Sequence, residues 1–233
     1  MTNAKTHALV REIRAALRDH ADPERAPKMQ AYMKSTMPYR GVGAPVQRGL
    51  FTELFARHAD LSCEDARAIA GELFREAKFR EERYAAIALV DPKRRPMRDC
   101  QTMDALPLYE EMIVIGAWWD YVDWVAASHL GAIMRAERKP MTARMKKWST
   151  DAHLWKRRAA ILSQLKMKKD TDLELLYACI EPNVADKDFF MRKAIGWSLR
   201  EYAKTDAREV KRFVEKNKTR LSGLSVREAL KNS

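Results

Sequence analysis

Apolar residues return at intervals of three and four along almost the whole chain, and no segment shows a sustained one-by-one alternation. That period gathers them on one face of a helix, whereas a strand needs a period of two. Leu9, Ile13 and Leu17 mark a first amphipathic helix over residues 6–19. Pro23 opens a second through Met29, Tyr32 and Met33, which ends before the loop Met37-Pro38-Tyr39-Arg40-Gly41-Val42-Gly43-Ala44-Pro45. Pro45 suits the first turn of the next helix, with Leu50, Leu54 and Phe55, because an N–H there would have no intrahelical partner anyway. Ser62 with Asp65 three residues on resembles a capping box for a helix through Ile69 and Leu73. Another helix, over 81–90, stops at Asp91-Pro92, and Lys93, Arg94, Arg95 and Arg98 follow as a basic loop. Helices are then predicted over 105–115, 118–137, 141–149, 153–167, 172–181, 187–204, 207–217 and 226–231. Asp170, Asp186 and Asp206 serve as N-caps, and Ser225 with Glu228 as a last capping box.

Three of these helices repeat one another in wording: Tyr84-Ala85-Ala86-Ile87, Arg158-Ala159-Ala160-Ile161 and Lys193-Ala194-Ile195-Gly196. Asp123, Arg158 and Lys193 stand 35 residues apart each time. A period of this length, with two helices in each unit, is the mark of a HEAT-like array. The expectation is an all-α, HEAT-like α-solenoid of tandem antiparallel helical pairs, a single domain over residues 1–233 with a concave basic face. Asp123, Arg158 and Lys193 should look toward that face, with Trp119 and Trp197 nearby.

Composition narrows the class. Charged residues are 33% and hydrophobic ones 46%, which fits a folded globular chain rather than a disordered one. Eight glycines and nine prolines are too few for the tight turns of a β-sandwich. Cys63, Cys100 and Cys179 are odd in number, far apart and never in a Cys-x-x-Cys pair, which argues against a disulfide framework or a zinc site and for a reducing cytoplasm. A net charge of +12 points to a polyanionic partner, most often nucleic acid. The longest apolar run, around Met112 to Trp119, lies between Glu111 and Asp120 and is too short to span a membrane, and no targeting segment precedes it.

The chemistry concentrates in Gly116-Ala117-Trp118-Trp119-Asp120-Tyr121-Val122-Asp123-Trp124, which holds three of the six tryptophans and two carboxylates. On a helix, Trp119 and Asp123 share one face, one turn apart, and Asp120 and Trp124 share another. An aromatic plane beside a carboxylate suits a positively charged guest, through the ring quadrupole and through charge. Three tryptophans filling a helical core would give the same pattern. Arg158 can equally be a structural arginine paired with a carboxylate of another repeat, and Trp197 plain core. A basic wall carrying spare aromatics and one carboxylate makes a poor core, however.

The chain resembles the HEAT-repeat alkylpurine DNA glycosylases, the AlkD-type DNA alkylation repair family. Ala31-Tyr32-Met33-Lys34, the Gly41…Pro45…Arg48 loop and Trp118-Trp119-Asp120-x-Val122-Asp123 carry the likeness. So do Trp155-x-x-Arg158-Ala159-Ala160-Ile161-Leu162 and Lys193-Ala194-Ile195-Gly196-Trp197-x-Leu199-Arg200-Glu201-Tyr202-Ala203-Lys204. The resemblance implies that Asp123 is the catalytic aspartate, with Trp119 and Trp197 contacting sugar and lesion. It likewise implies that Arg158 contacts a phosphate, and that Tyr32, Lys193 and Arg48 belong to the DNA-binding surface. The chain departs from some members at Gly43, where they carry a longer polar residue, and at Trp124, which is bulkier than expected after the aspartate.

The implied activity is hydrolysis of the N-glycosidic bond of cationic N3- or N7-alkylated purines, with the lesion handled while it remains in the duplex. The expected partner is double-stranded DNA containing alkylated bases. The protein is expected to act as a monomer in the bacterial cytosol or nucleoid, away from membranes, with no cofactor and no metal. His7, His20, His58, His129 and His153 show no ligand spacing, which makes a metal-dependent nuclease the weakest reading. The main rival is a non-catalytic HEAT-repeat scaffold that binds nucleic acid or an acidic protein. Such a scaffold gains nothing from a carboxylate on a basic wall.

Overall fold

A stripe of side chains spaced four apart gives the first helix its buried face. In the computed structural model, which describes residues 2–231 and their side chains from residue 8 onward, α1 spans Thr2–Asp19. Leu9, Ile13 and Leu17 are wholly buried there, as the pattern predicts. α2 (Ala26–Met33) ends on Lys34 in the left-handed region, φ 49°. α3 (Ala44–Ala56) starts with Pro45 in its first turn. α4 (Cys63–Arg75) is capped by Ser62, whose Oγ accepts from the Asp65 amide at 3.0 Å. α5 (Arg80–Leu89) packs along α4, and Ile69, Leu73, Ile87 and Leu89 complete the core with α1. These helices belong to the first of two compact units, Met1–Cys100 and Gln101–Ser233.

The conspicuous loop of the first unit is held by one buried carboxylate. Glu81 accepts from the backbone amides of Arg40, Gly41 and Val42 at 3.0, 2.9 and 3.2 Å. Burial pushes the Glu81 carboxyl up, and these amides pull against that. Gly41 is obligatory here, because its φ is +87° and a Cβ would stand 2.0 Å from the Asp22 carbonyl oxygen. Next to Glu81, Glu82 pairs with Arg14 at 3.2 Å and Arg40 at 3.7 Å.

Cys63 and Cys100 form a disulfide, which corrects the expectation of separate thiols. Their separation of 37 residues hides the pairing in sequence. The α4–α5 hairpin folds the chain back so that their Cα atoms lie 5.3 Å apart. Cys179 is free and buried. With a disulfide present, the cysteines no longer argue for a reducing compartment.

The second unit begins with α6 (Leu106–Gly116), which Ala117 stops in the left-handed region at φ 41°. Trp118 is extended and α7 (Trp119–Trp124) follows. α7 runs through a π-helical segment, Val125–Leu130, into α8 (Gly131–Ala136), so the helix expected over 118–137 is continuous but locally widened. Then come α9 (Arg138–Trp148), α10 (Leu154–Leu162), α11 (Leu173–Ile180), α12 (Phe189–Ala203), α13 (Ala207–Lys216) and α14 (Gly223–Ala229). No strand occurs among the described residues, and the fold is all-α and built from helical repeats.

The repeat shows in contacts between residues about 35 apart. The Asn183 amide donates to the Ser149 carbonyl at a separation of 34, Tyr177 Oη donates to Glu209 at 32, and Ser225 Oγ donates to the Arg192 carbonyl at 33. Three capping assignments shift. α11 is capped by Asp172 rather than Asp170, and α12 by Asp188 rather than Asp186, which instead pairs with Arg157. α14 is capped by Ser222 rather than Ser225, with the Ser222 Oγ accepting from the Ser225 amide at 3.0 Å, and Glu228 makes a tertiary contact instead. Among the described residues, no helix is long and apolar enough to cross a membrane.

Two tests follow for the first unit. Glu81→Ala strands three backbone amides, two of them buried, and a loss of roughly 3 kcal/mol is expected, equivalent to a Tm lower by about 6–12 °C in a chain of this size; an unchanged Tm would show that the loop does not depend on Glu81. Alkylation of the denatured, unreduced protein should label only Cys179, and reduction first should expose all three cysteines. Three labels without reductant would refute the pairing.

Candidate functional site

The left-handed turn at Ala117 lets the chain leave α6 and restart as α7 at Trp119. On that short helix Trp119 and Asp123 lie one turn apart on one face. Tyr121 and Val125 are buried on the opposite side, which fixes the register of the helix. The widened π segment begins immediately afterwards, at Val125.

Across from Asp123 stands the residue 35 further along the chain. Arg158 of α10 donates from Nε to Asp123 Oδ1 at 2.7 Å and from Nη2 to Oδ2 at 2.8 Å, a two-pronged pair. Its Nη1 donates to the carbonyl of Phe190, in the first turn of α12. The Phe190 and Met191 amides donate to the capping carboxylate of Asp188 at 2.7 and 3.1 Å, so the helix start that receives Arg158 is itself fixed. The arginine side chain is 5% exposed and the aspartate 13%. Three elements, α7, α10 and α12, therefore meet at a single guanidinium.

Burial pushes the Asp123 carboxyl above the ordinary aspartate value of 3.8. The bonds and charge of Arg158 oppose that rise, and the nearby Asp120 charge adds to it. The aspartate thus sits in a low-dielectric environment where its interactions with charge are strong.

An aromatic cluster reaches this pair through Phe190, whose ring centroid lies 5.9 Å from the Arg158 guanidinium carbon. Trp118, Trp155 and Phe190 meet at centroid distances of 6.0, 5.4 and 5.1 Å. Of these, Phe190 carries no sequence signal as a site residue beyond its place after an N-cap, so no local pattern marks it. Trp119 and Trp197 are half-buried. Lys193, four residues before Trp197, pairs with Glu228 of α14 at 2.9 Å.

The structure thus brings Asp123 and Arg158 into direct contact, and it engages Arg158 with a carboxylate and a carbonyl. Tyr32 and Arg48 lie in the first unit, on α2 and α3; Tyr32 is 78% exposed, and Arg48 is exposed too. Among the described residues, no group of three or more His, Cys, Asp or Glu is placed to hold a metal ion; the side chain of His7 lies outside them.

A carboxylate held by arginine, partly open and bordered by tryptophans, can stabilise positive charge that develops beside it. Comparison with known proteins places the chain among relatives described as DNA alkylation repair enzymes. A solved structure described as a "Predicted DNA alkylation repair enzyme from Enterococcus faecalis" is 28% identical, covers 91% of this chain and 96% of its own, and superposes with a TM-score of 0.81. None of the curated proteins compared matches the chain. The family described as "DNA alkylation repair enzyme" matches residues 13–232, nearly the full length. The chain belongs to the DNA alkylation repair enzyme family.

Proposed function

We propose that the protein is a monofunctional DNA glycosylase that hydrolyses the N-glycosidic bond of cationic N3- or N7-alkylated purines in duplex DNA. The observation that carries this reading is the Asp123 carboxylate. It is 13% exposed, gripped by Arg158 and one turn from Trp119. A structural ion pair has no need of an opening to solvent, whereas a carboxylate that must meet a substrate does.

An alkylated purine of this kind carries a positive charge, so it departs neutral, taking the electron pair of the glycosidic bond, and needs no general acid. The positive charge then moves to the deoxyribose as oxocarbenium character. Asp123 stabilises that charge, and water adds to the anomeric carbon and gives its proton to Asp123 or to solvent. Trp119 and Trp197 offer aromatic faces to the sugar and the cationic nucleotide. Arg158 keeps Asp123 oriented and draws its carboxyl toward the ionised form. A phosphate contact by Arg158 would replace one of its three present bonds. Tyr32 and Arg48, and Lys193, are proposed to contact the duplex, and such contacts fix register without reading sequence.

The direct test is release of the base from alkylated duplex DNA in the presence of chelator. Asp123→Asn keeps the shape and removes the charge. With one preorganised electrostatic group lost, about 3–4 kcal/mol, the single-turnover rate should fall by roughly two to three orders of magnitude. DNA affinity should hold or rise. Parental rates in Asp123→Asn would remove this residue from the mechanism, and the absence of release by the native protein would favour a non-catalytic scaffold.

The pH dependence gives a second test. Only ionised Asp123 can stabilise the sugar cation, so the catalysed rate, corrected for spontaneous depurination, is lost as pH falls through its pKa. Because that pKa is raised, the midpoint should lie above 3.8. Arg158→Gln removes the opposing attraction and should move the midpoint further up, along with a lower Tm from the broken pair. An acid limb that stays put in Arg158→Gln would separate Arg158 from the ionisation of Asp123.

A further inference from the structure

The 35-residue spacing of Asp123, Arg158 and Lys193 has a fourth member, Glu228, and the geometry gives it a partner. Glu228 Oε1 lies 2.9 Å from Lys193 Nζ, and its Oε2 accepts from Arg200 Nη1 at 2.6 Å. The Asp123–Arg158 pair and the Lys193–Glu228 pair are thus equivalent rungs of the repeat, with the acid first in one and last in the other.

Glu228 reaches this place because α12 is bare at Gly196. A Cβ on Gly196 would stand 2.4 Å from the Glu228 Cβ and 2.8 Å from the Ser225 carbonyl oxygen. α14 consequently seats directly on the α12 backbone, and Ser225 Oγ adds a 3.0 Å bond to the Arg192 carbonyl. Lys193, Gly196, Trp197 and Arg200 follow one another at helical spacing, so the two cations flank Trp197 along one stripe of α12. Phe190, whose carbonyl takes the bond from Arg158, lies at the N-terminal end of the same stripe.

Glu228 is 15% exposed and Lys193 and Arg200 are partly exposed, so the cluster is open to an approaching anion. The hydrogen bond from Lys193 is the first cause that holds the Glu228 carboxyl below its ordinary value, and it is ionised at neutral pH. Two cations share one anion, and the third party with the matching chemistry is a phosphate.

We propose that Glu228 is a built-in counter-charge that limits how tightly the Trp197 face of α12 holds the phosphate backbone of undamaged duplex DNA. In the free protein it occupies Lys193 and Arg200, and a phosphate that engages them does so against the Glu228 charge. The inference deepens the proposed reading, since it rests on that face meeting a duplex. A surface that binds every phosphate backbone strongly is slow to leave sites without damage. One carboxylate shared between two cations lowers that affinity without removing either cation.

The experiment compares native protein and Glu228→Gln for binding an undamaged duplex between roughly 50 and 200 mM salt. Glu228→Gln should bind on the order of 3- to 10-fold more tightly at low salt, with a log–log salt slope steeper by about one. Unchanged or weaker binding, with native Tm, would overturn the proposal. If the substitution loosens α14 and lowers Tm, Lys193→Gln/Arg200→Gln made with and without Glu228→Gln decides. The gain from Glu228→Gln should vanish when both cations are gone, and a gain that survives overturns the proposal. Base release is measured on the same native protein. Release without the affinity effect defeats this inference alone, whereas the affinity effect without release defeats the glycosylase reading.

Discussion

The Asp123–Arg158 pair is the constraint on which the second unit depends. Both side chains are almost out of water, so the charge of each is costly there without the other. Removing one member of such a pair typically costs about 3–5 kcal/mol, because the survivor is left charged and unpaired. The pair also needs geometry. Arg158 reaches Asp123 through two nitrogens only if α7 and α10 keep their spacing, and it reaches the Phe190 carbonyl only if α12 begins where Asp188 caps it. The left-handed stop at Ala117 and the widening at the π segment bound the short helix that presents Asp123. Fold and site therefore constrain each other through one guanidinium.

That interaction is also the clearest expression of the repeat. Some links between successive repeats are neutral, such as Asn183 to the Ser149 carbonyl, and others are ion pairs, such as Arg157 with Asp186; together they hold one helical pair to the next. At the register shared by Asp123, Arg158, Lys193 and Glu228, both rungs are ion pairs at a spacing of 35 residues. A tandem array offers the same position several times, and charge at that position can be varied while the packing beneath it is kept. Here Ala159, Ala160 and Ile161 beneath Arg158, and Ala194 and Ile195 beneath Lys193, are all buried. The apolar wording that repeats along the chain is the constant part of the array, and the charged residue before it is the variable part.

This division explains what could be read from sequence. The stripe Leu9, Ile13, Leu17 and the 35-residue period are set by burial, which leaves a strong pattern, and the helices stand where it places them within a few residues. The placement of Asp123 opposite Arg158 follows from that period, although a structural and a functional arginine look alike in sequence. Caps were less legible, because Asp170 and Asp172, or Asp186 and Asp188, offer the same chemistry two residues apart and only backbone geometry chooses. Ser225 with Glu228 has the spacing of a local capping box, yet Glu228 is pulled away by Lys193 and Arg200. The Cys63–Cys100 bond and the grip of Glu81 on residues 40–42 join segments about 40 apart whose contact no local pattern announces. The π segment is similar, since its residues Val125 to Leu130 read as ordinary helix.

On the proposed function, the site must reconcile two opposite demands. A duplex backbone is drawn by positive charge, whereas a developing sugar cation needs a negative one. An exposed carboxylate on the binding surface would repel the phosphates that flank the lesion. Seating Asp123 against Arg158 makes the pair nearly neutral to a phosphate several ångströms away, while the carboxylate edge left open still acts on a charge in contact with it. Burial then works in favour of the reaction. It raises the Asp123 pKa, and it also strengthens the field that the ionised group exerts at short range. The arginine keeps the first effect from leaving the group protonated. A lysine would offer a single point charge in place of the planar fork, and could not hold both carboxylate oxygens and the Phe190 carbonyl in fixed directions at once.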